Sequence, residues 1–317
     1  MSSTKNRSLN KQDNSGHARN EGIPFDSNLF DEININRSAV ERRAATLSGR
    51  RSVKKEWQAA WLLKALSCID LTTLAGDDTR SNVHRLCAKA MSPVRHDLLE
   101  AMDMDDINIS VAAVCVYHNL IADAVASLGD SNIPIAAVST GFPAGNIPLK
   151  EKIKQIELSV AAGAKEIDIV VSRNLVLNSD WKGLYDEVAA CRKACGEAHM
   201  KTNLATGEIP TLTKVANASW VSMMAGSDFI KTSTGKEPVN ATIPVSLVMI
   251  RTIREYHELT GYKVGFKPAG GIGKAKQAIN WLVLIKEELG DEWLTPELFR
   301  FGAVSYTHLT LPTINGG

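Results

Sequence analysis

The chain has 317 residues, 44% of them hydrophobic and 22% charged, with a formal net charge of +1; that is enough chain to bury a large core. Near-neutral charge argues against a general nucleic-acid or membrane-surface binder, and no run approaches the roughly 18 apolar residues of a membrane span. The five cysteines form no Cys-x-x-Cys pair and the seven histidines do not cluster at metal-ligand spacing, so we expect a protein without metal, in a reducing compartment.

Residues 1–52 are rich in Ser, Asn, Arg and Lys and carry few apolar positions. This composition predicts a disordered polar extension, touching down near Ile33 and Ile35. It holds no apolar signal core, so secretion is not expected and the cytoplasm is the expected location. From Val53 the composition changes. Val53, Trp57, Ala60 and Trp61 make a helical face that leads into a strand over Leu66–Thr72.

A regular alternation follows. Val83, Leu86, Cys87 and Ala90 recur at helical spacing after Asp77-Asp78-Thr79, which has helix-start chemistry. A strand over Ile109–Tyr117 precedes a helix marked by Ile121, Val125 and Leu128 and ended by Gly129. A strand over Ile133–Thr140 precedes a helix carrying Ile153, Ile156 and Val160. The second half repeats the rhythm. Strands are predicted over Glu166–Ser172, His199–Thr206, the segment from Phe229 to Lys231, Lys263–Pro268 and Phe299–Ala303. Between them lie helical stripes at Leu184, Val188, Cys191 and Cys195, then over Leu212–Ala225 and Pro244–Tyr256, and finally at Ala278, Leu282, Ile285 and Leu289.

Near-continuously apolar strands alternating with helices belong to a parallel sheet covered on its faces. Eight of them between Val53 and Ala303 predict an α/β fold, a (β/α)8 TIM barrel, and the span matches the roughly 250 residues usual for it. A doubly wound open sheet is the alternative, but it calls for a glycine-rich first crossover, and Asp70-Leu71-Thr72-Thr73-Leu74 is not one. Residues 304–317 break the pattern, with β-branched residues, a proline and two glycines but no helical apolar stripe. They are expected to be foreign to the fold, leaving the barrel without its final helix.

Functional groups of such a barrel collect where strands end. Those positions hold Asp70, Cys115, Asp168, Lys231 and Lys267, together with glycine turns at Gly235-Lys236, Gly270-Gly271-Ile272-Gly273 and Gly302. Each has a bland reading: surface lysines, a packed thiol, a satisfied ion pair, tight turns. Taken as a set they point to a site. Lysines ending neighbouring strands repel each other's charge, and burial adds in the same direction, so one can be a neutral nucleophile while the other stays a cation. Asp168 is placed to move a proton and balance the cations. The glycines read as a phosphate cradle of backbone N–H groups.

Several motifs resemble the deoxyribose-phosphate aldolases. They are Ile69-Asp70-Leu71-Thr72-Thr73-Leu74, Ala113-Val114-Cys115-Val116-Tyr117, Glu166-Ile167-Asp168, Phe229-Ile230-Lys231-Thr232-Ser233-Thr234-Gly235-Lys236 and Gly265-Phe266-Lys267-Pro268-Ala269-Gly270-Gly271. The likeness spans Val53 to Ala303, and Val53–Trp61 looks like the animal type. It implies a class I aldolase needing no cofactor. Lys231 would form an imine with C1 of 2-deoxy-D-ribose 5-phosphate, and cleavage would give acetaldehyde and D-glyceraldehyde 3-phosphate. Lys267 and Asp168 would assist, with Asp70 a mouth carboxylate near the sugar and Cys115 close to it. Gly235, Lys236, Gly270, Gly271 and Gly302 would lie near the phosphate. The chain departs from the family at His118, Gly273, Asn203 and Val304. Another Schiff-base aldolase, or a sugar-phosphate binder without turnover, are the alternatives. Whether a homo-oligomer forms is left open.

Overall fold

The computed structural model describes residues 19–104 and 106–303. Its strands are β1 (Ile69–Thr72), β2 (Ala113–Val116), β3 (Ile135–Val138), β4 (Glu166–Val170), β5 (His199–Asn203), β6 (Phe229–Lys231), β7 (Gly265–Lys267) and β8 (Phe301–Ala303). All neighbours pair in parallel, in the order β7-β6-β5-β4-β3-β2-β1-β8. The two ends of that order meet through bridges Phe266–Phe299 and Ala269–Gly302. There the Phe266 N–H donates to the Leu298 carbonyl and the Gly302 N–H to the Pro268 carbonyl, both at 2.9 Å. The sheet therefore curls into the barrel that the alternation predicts.

Strand periodicity separates two interiors. Ile69, Leu71, Val114, Ile167, Ile169, Ile230 and Phe266 point outward and pack with Leu86, Ile156, Val188, Val221, Ile250 and Ile285 of the surrounding helices, forming the main core. Residues one position away point inward. The inward set is a small apolar wall of Ala113, Cys115, Ala136 and Val138, faced by the ionisable groups described below.

The predicted helices form where the stripes lie. Val83, Leu86, Cys87 and Ala90 are the buried face of Arg80–Met91, whose Thr79 cap accepts from the Asn82 N–H. Leu184, Val188, Cys191 and Cys195 are the buried face of Trp181–Cys195. Boundaries shift at β1: Leu66 and Ser67 close the helix Lys55–Ser67, and the strand begins only at Ile69. All five cysteines are free and buried.

The expectation of disorder to residue 52 is corrected from Arg19 onward. Arg19 pairs with Asp228 at 2.9 Å, and Asn20 donates to the carbonyls of Met223 and Ser227, each at 2.8 Å. Phe30 is fully buried, edge-on to Phe25 and Trp181. The helix Arg37–Arg50 buries Val40 and Leu47 beside the helices Ile243–Thr260 and Ala275–Glu288. Composition misleads here because a few well-spaced apolar side chains suffice when a preformed surface receives them. The expectation about residues 1–18 and the whole expectation about residues 304–317, including the missing final helix, lie outside the described residues.

Candidate active site

Lys231 ends β6 and Lys267 ends β7, and the two are paired in register. Between their side chains stands Asp168 of β4. Its Oδ2 accepts from Lys231 Nζ at 2.9 Å and from Lys267 Nζ at 2.7 Å. One oxygen thus joins both amines. The three residues that the sequence nominates as reactive are brought together, and all are buried.

Beneath them lies a second tier. Asp70 of β1 accepts from Lys267, from Lys201 of β5 at 2.7 Å, and from Arg300. Glu166 of β4 accepts from Lys201 and, at 2.9 Å, from Arg300. Lys201 also lies 3.4 Å from the second oxygen of Asp168. Asp70 is fully enclosed, with every described ionic contact going to these cations. This corrects its expected place: Asp70 is a carboxylate of the barrel floor, not of the mouth. The physical reason is that a buried carboxylate is held where the most cations converge.

The charges do not balance, and the imbalance selects a nucleophile. Among the described residues, Lys201, Lys231, Lys267 and Arg300 face only Asp70, Glu166 and Asp168. With all seven groups ionised the buried cluster would carry one surplus positive charge, which a low-dielectric interior penalises. Lys231 touches a single carboxylate, whereas Lys267 and Arg300 each touch two and Lys201 three. Lys231 is therefore the member least costly to neutralise. Burial pushes its pKa down, repulsion from Lys267 adds to this, and attraction by Asp168 offsets only part. Lys267 goes the other way: burial alone would lower it, but Asp168 and Asp70 outweigh that and hold its proton. Asp168 follows the same logic in reverse. Burial would raise it, and Lys201, Lys231 and Lys267 together hold it well below the ordinary carboxylate range.

The opposite wall is apolar. Cys115 sits inward with Ala113, Ala136 and Val138, and Leu74, Tyr117 and Phe142 pack on this group. Lys231 Nζ is 5.9 Å from the centroid of the Phe142 ring. Burial pushes the Cys115 thiol up to about 11, so it is protonated at neutral pH. It is a wall residue and not an ionised one.

The glycine turns meet on the β6–β7 side. Gly235, Gly270 and Gly271 all have positive φ, at 84°, 78° and 78°, which side chains rarely tolerate. A Cβ on Gly235 would sit 4.0 Å from the Gly270 Cα, so the two turns are adjacent. Among the described residues the N–H groups of Gly235, Gly270 and Gly271 find no acceptor. Lys236 is exposed beside them. Ser233 and Thr232 tie the β6 loop to Ala269, and Glu237 accepts from both the N–H and the hydroxyl of Thr234. Gly302 serves differently. Its N–H is spent on Pro268, and a Cβ there would lie 2.7 Å from the Ala269 Cβ, so it is a close-packing position.

Reading strand ends alone misses Lys201, Arg300 and the floor role of Glu166. Lys201 stands mid-strand between buried Met200 and Thr202, and Arg300 precedes β8. An ionisable residue inside any apolar strand was the signal that could have found them. A cavity of about 920 Å³ at the other end of the barrel, lined by Ser67, Ala112, Pro134 and Arg300, lies on the face where such barrels place stability.

The sequence profile of the DeoC/LacD family aldolases matches residues 64–285. The chain is 61% identical over 286 residues to the deoxyribose-phosphate aldolase of Mus musculus, covering 90% of each. Against that of Homo sapiens it is 59% identical over 288 residues, covering 90% of this chain and 91% of the other. Among solved structures, the deoxyribose phosphate aldolase of Aeropyrum pernix, described as a unique tetramer, aligns with a TM-score of 0.57. That alignment has 20% identity and covers 84% of this chain and 95% of the other. An aldolase designated QR15 aligns with a TM-score of 0.58 at 22% identity, over 76% and 91%. These two show the likeness of fold.

Proposed function

The chain belongs to the DeoC/LacD family of aldolases, and we propose that it cleaves 2-deoxy-D-ribose 5-phosphate reversibly through an imine on Lys231. The observation that carries the mechanism is the surplus cation. Of the cluster's four cations, Lys231 is the one whose surroundings favour release of its proton.

The steps follow from that. The neutral Lys231 amine attacks the C1 aldehyde, and loss of water from the carbinolamine leaves a protonated imine. The C3 hydroxyl gives up its proton, the C2–C3 bond breaks, and its electron pair flows into the imine as an enamine. D-Glyceraldehyde 3-phosphate departs. The enamine takes a proton at C2, and water returns to release acetaldehyde and the free amine. Asp168 Oδ2, shared by Lys231 and Lys267, is the bridge for these protons. Asp168 is held ionised between the two amines, free to take a proton, while Lys267 holds one ready. The Cys115 and Phe142 wall accommodates the two-carbon fragment. The N–H groups of Gly235, Gly270 and Gly271, without an acceptor among the described residues, receive the phosphate with Lys236. The tetrameric Aeropyrum pernix protein supports self-association as part of the same proposal.

Borohydride reduction in the presence of deoxyribose 5-phosphate, followed by peptide mapping, tests the reading. A reduced adduct on Lys231 is expected, and Lys231→Leu should show neither adduct nor acetaldehyde release. Turnover like that of the unmodified protein in Lys231→Leu would overturn the assignment.

A further inference from the structure

Asn203 closes β5, two residues beyond Lys201. Strand alternation puts both on the inner face, and Lys201 reaches Asp168 on the adjacent strand and Asp70 across the barrel. In register Asn203 stands between Val170 of β4 and Lys231 of β6. It is therefore the lateral neighbour of the proposed nucleophile, at the same height. Its side chain is wholly buried.

The amide is half used. Oδ1 accepts from the Ala205 N–H at 2.9 Å, within a turn that holds Ala205 at a φ of 52°. That bond decides which end of the amide faces which way. Nδ2 is buried, and among the described residues it has no partner. A buried donor without an acceptor is destabilising. A group kept at such a cost beside a reactive lysine is a donor held in readiness for a ligand.

We propose that Asn203 is a specificity-determining residue whose Nδ2 donates a hydrogen bond to the C4 hydroxyl of the sugar chain carried on Lys231. This rests on the aldolase reading above, and the C4 oxygen is reached by elimination. C1 is bonded to Lys231. The C3 hydroxyl must lose its proton and is served by Asp168 and Lys267. The phosphate goes to the glycine rim. The C4 hydroxyl takes no part in the bond changes, and a neutral, non-titrating amide is suited to recognise it.

The test compares Asn203→Leu with the unmodified chain in the aldol direction. Acetaldehyde is the donor, and the acceptor is either D-glyceraldehyde 3-phosphate or 3-oxopropyl phosphate, which lacks the hydroxyl in question. For glyceraldehyde 3-phosphate, kcat/KM should fall about ten- to a hundredfold in Asn203→Leu. For 3-oxopropyl phosphate it should hardly change. An equal loss with both acceptors, or no loss with either, overturns the proposal. Borohydride labelling with acetaldehyde alone separates this from the aldolase reading. Label on Lys231 in both proteins with unchanged acceptor preference defeats only the Asn203 role, whereas no label in the unmodified chain defeats the imine chemistry itself.

Discussion

Lys231 and Lys267 are chemically identical side chains in register on adjacent strands, and their environments drive them apart. The difference is one of partners: among the described residues Lys267 reaches both Asp70 and Asp168, and Lys231 reaches Asp168 alone. The pH dependence follows. Lys231 attacks only when unprotonated, and its pKa lies below the ordinary lysine value, so imine formation should climb with pH and level off below about 10.4. Lys267→Met removes a like charge, so Lys231 should bind its proton more tightly and the rising limb should move to higher pH. Each unit of that move costs about tenfold in unprotonated amine at neutral pH. Single-turnover imine formation across pH checks it, and an unmoved limb would show that burial alone sets the Lys231 proton affinity. The motifs that nominate Lys231, Lys267 and Asp168 are continuous in sequence and can be read there. Lys201 and Arg300 come from β5 and the entry to β8, and only closure of the barrel makes them partners of Asp70 and Glu166.

At the scale of elements, the N-terminal segment is the part most changed by the fold. Its apolar residues are too sparse to form a core among themselves, so its order derives from the helices it meets. Asn20 shows how: its amide nitrogen satisfies two carbonyls at the end of the helix Leu212–Met224 and its turn, while its oxygen accepts from Tyr256 at 2.9 Å. The ring of Phe30 has its edge-on partners in Phe25 and in Trp181, the first residue of the helix Trp181–Cys195. Phe30→Ala should therefore destabilise the whole protein by about 3–5 kcal/mol through the cavity it leaves, seen as a lower midpoint in chemical denaturation. An unchanged midpoint would show that residues 19–50 do not share the cooperative unit of the barrel. Glycine turns are the opposite case. Gly235, Gly270 and Gly271 are legible in sequence because their backbone conformation is one that few other residues adopt.

For the whole molecule, the buried ionic cluster makes stability depend on pH from two sides. Burial would raise Asp70, Glu166 and Asp168, but their cations hold all three below their ordinary values. Their contribution is present above the unfolded carboxylate values and is lost as pH falls through the folded ones, so Tm should decline below about pH 4. Lys201 and Lys267 are raised despite burial. Their contribution is full below about 10.4 and is lost as pH rises through their folded values. Lys231, being lowered, opposes this: protonating it as pH falls costs stability. Measured by calorimetry, Tm should therefore drift down between these limits as pH falls through the Lys231 titration, and Asp168→Asn should lower it throughout by leaving buried lysines short of a partner. A Tm that instead climbs as pH falls from 9 to 5 would place the dominant titration outside this cluster.

Taken alone, the sequence determined the alternation of eight strands with helices, the two lysine motifs, Asp168 and the glycine turns. Those are local properties: periodicity and backbone preference are written into neighbouring residues. Tertiary structure decided the rest. It sank Asp70 to the floor, recruited Lys201, Glu166 and Arg300, set Asn203 beside Lys231, and ordered the chain from Arg19. Each of these depends on groups far apart in sequence meeting in a space without water, where the number of partners in reach, and not residue type, settles which group keeps its charge.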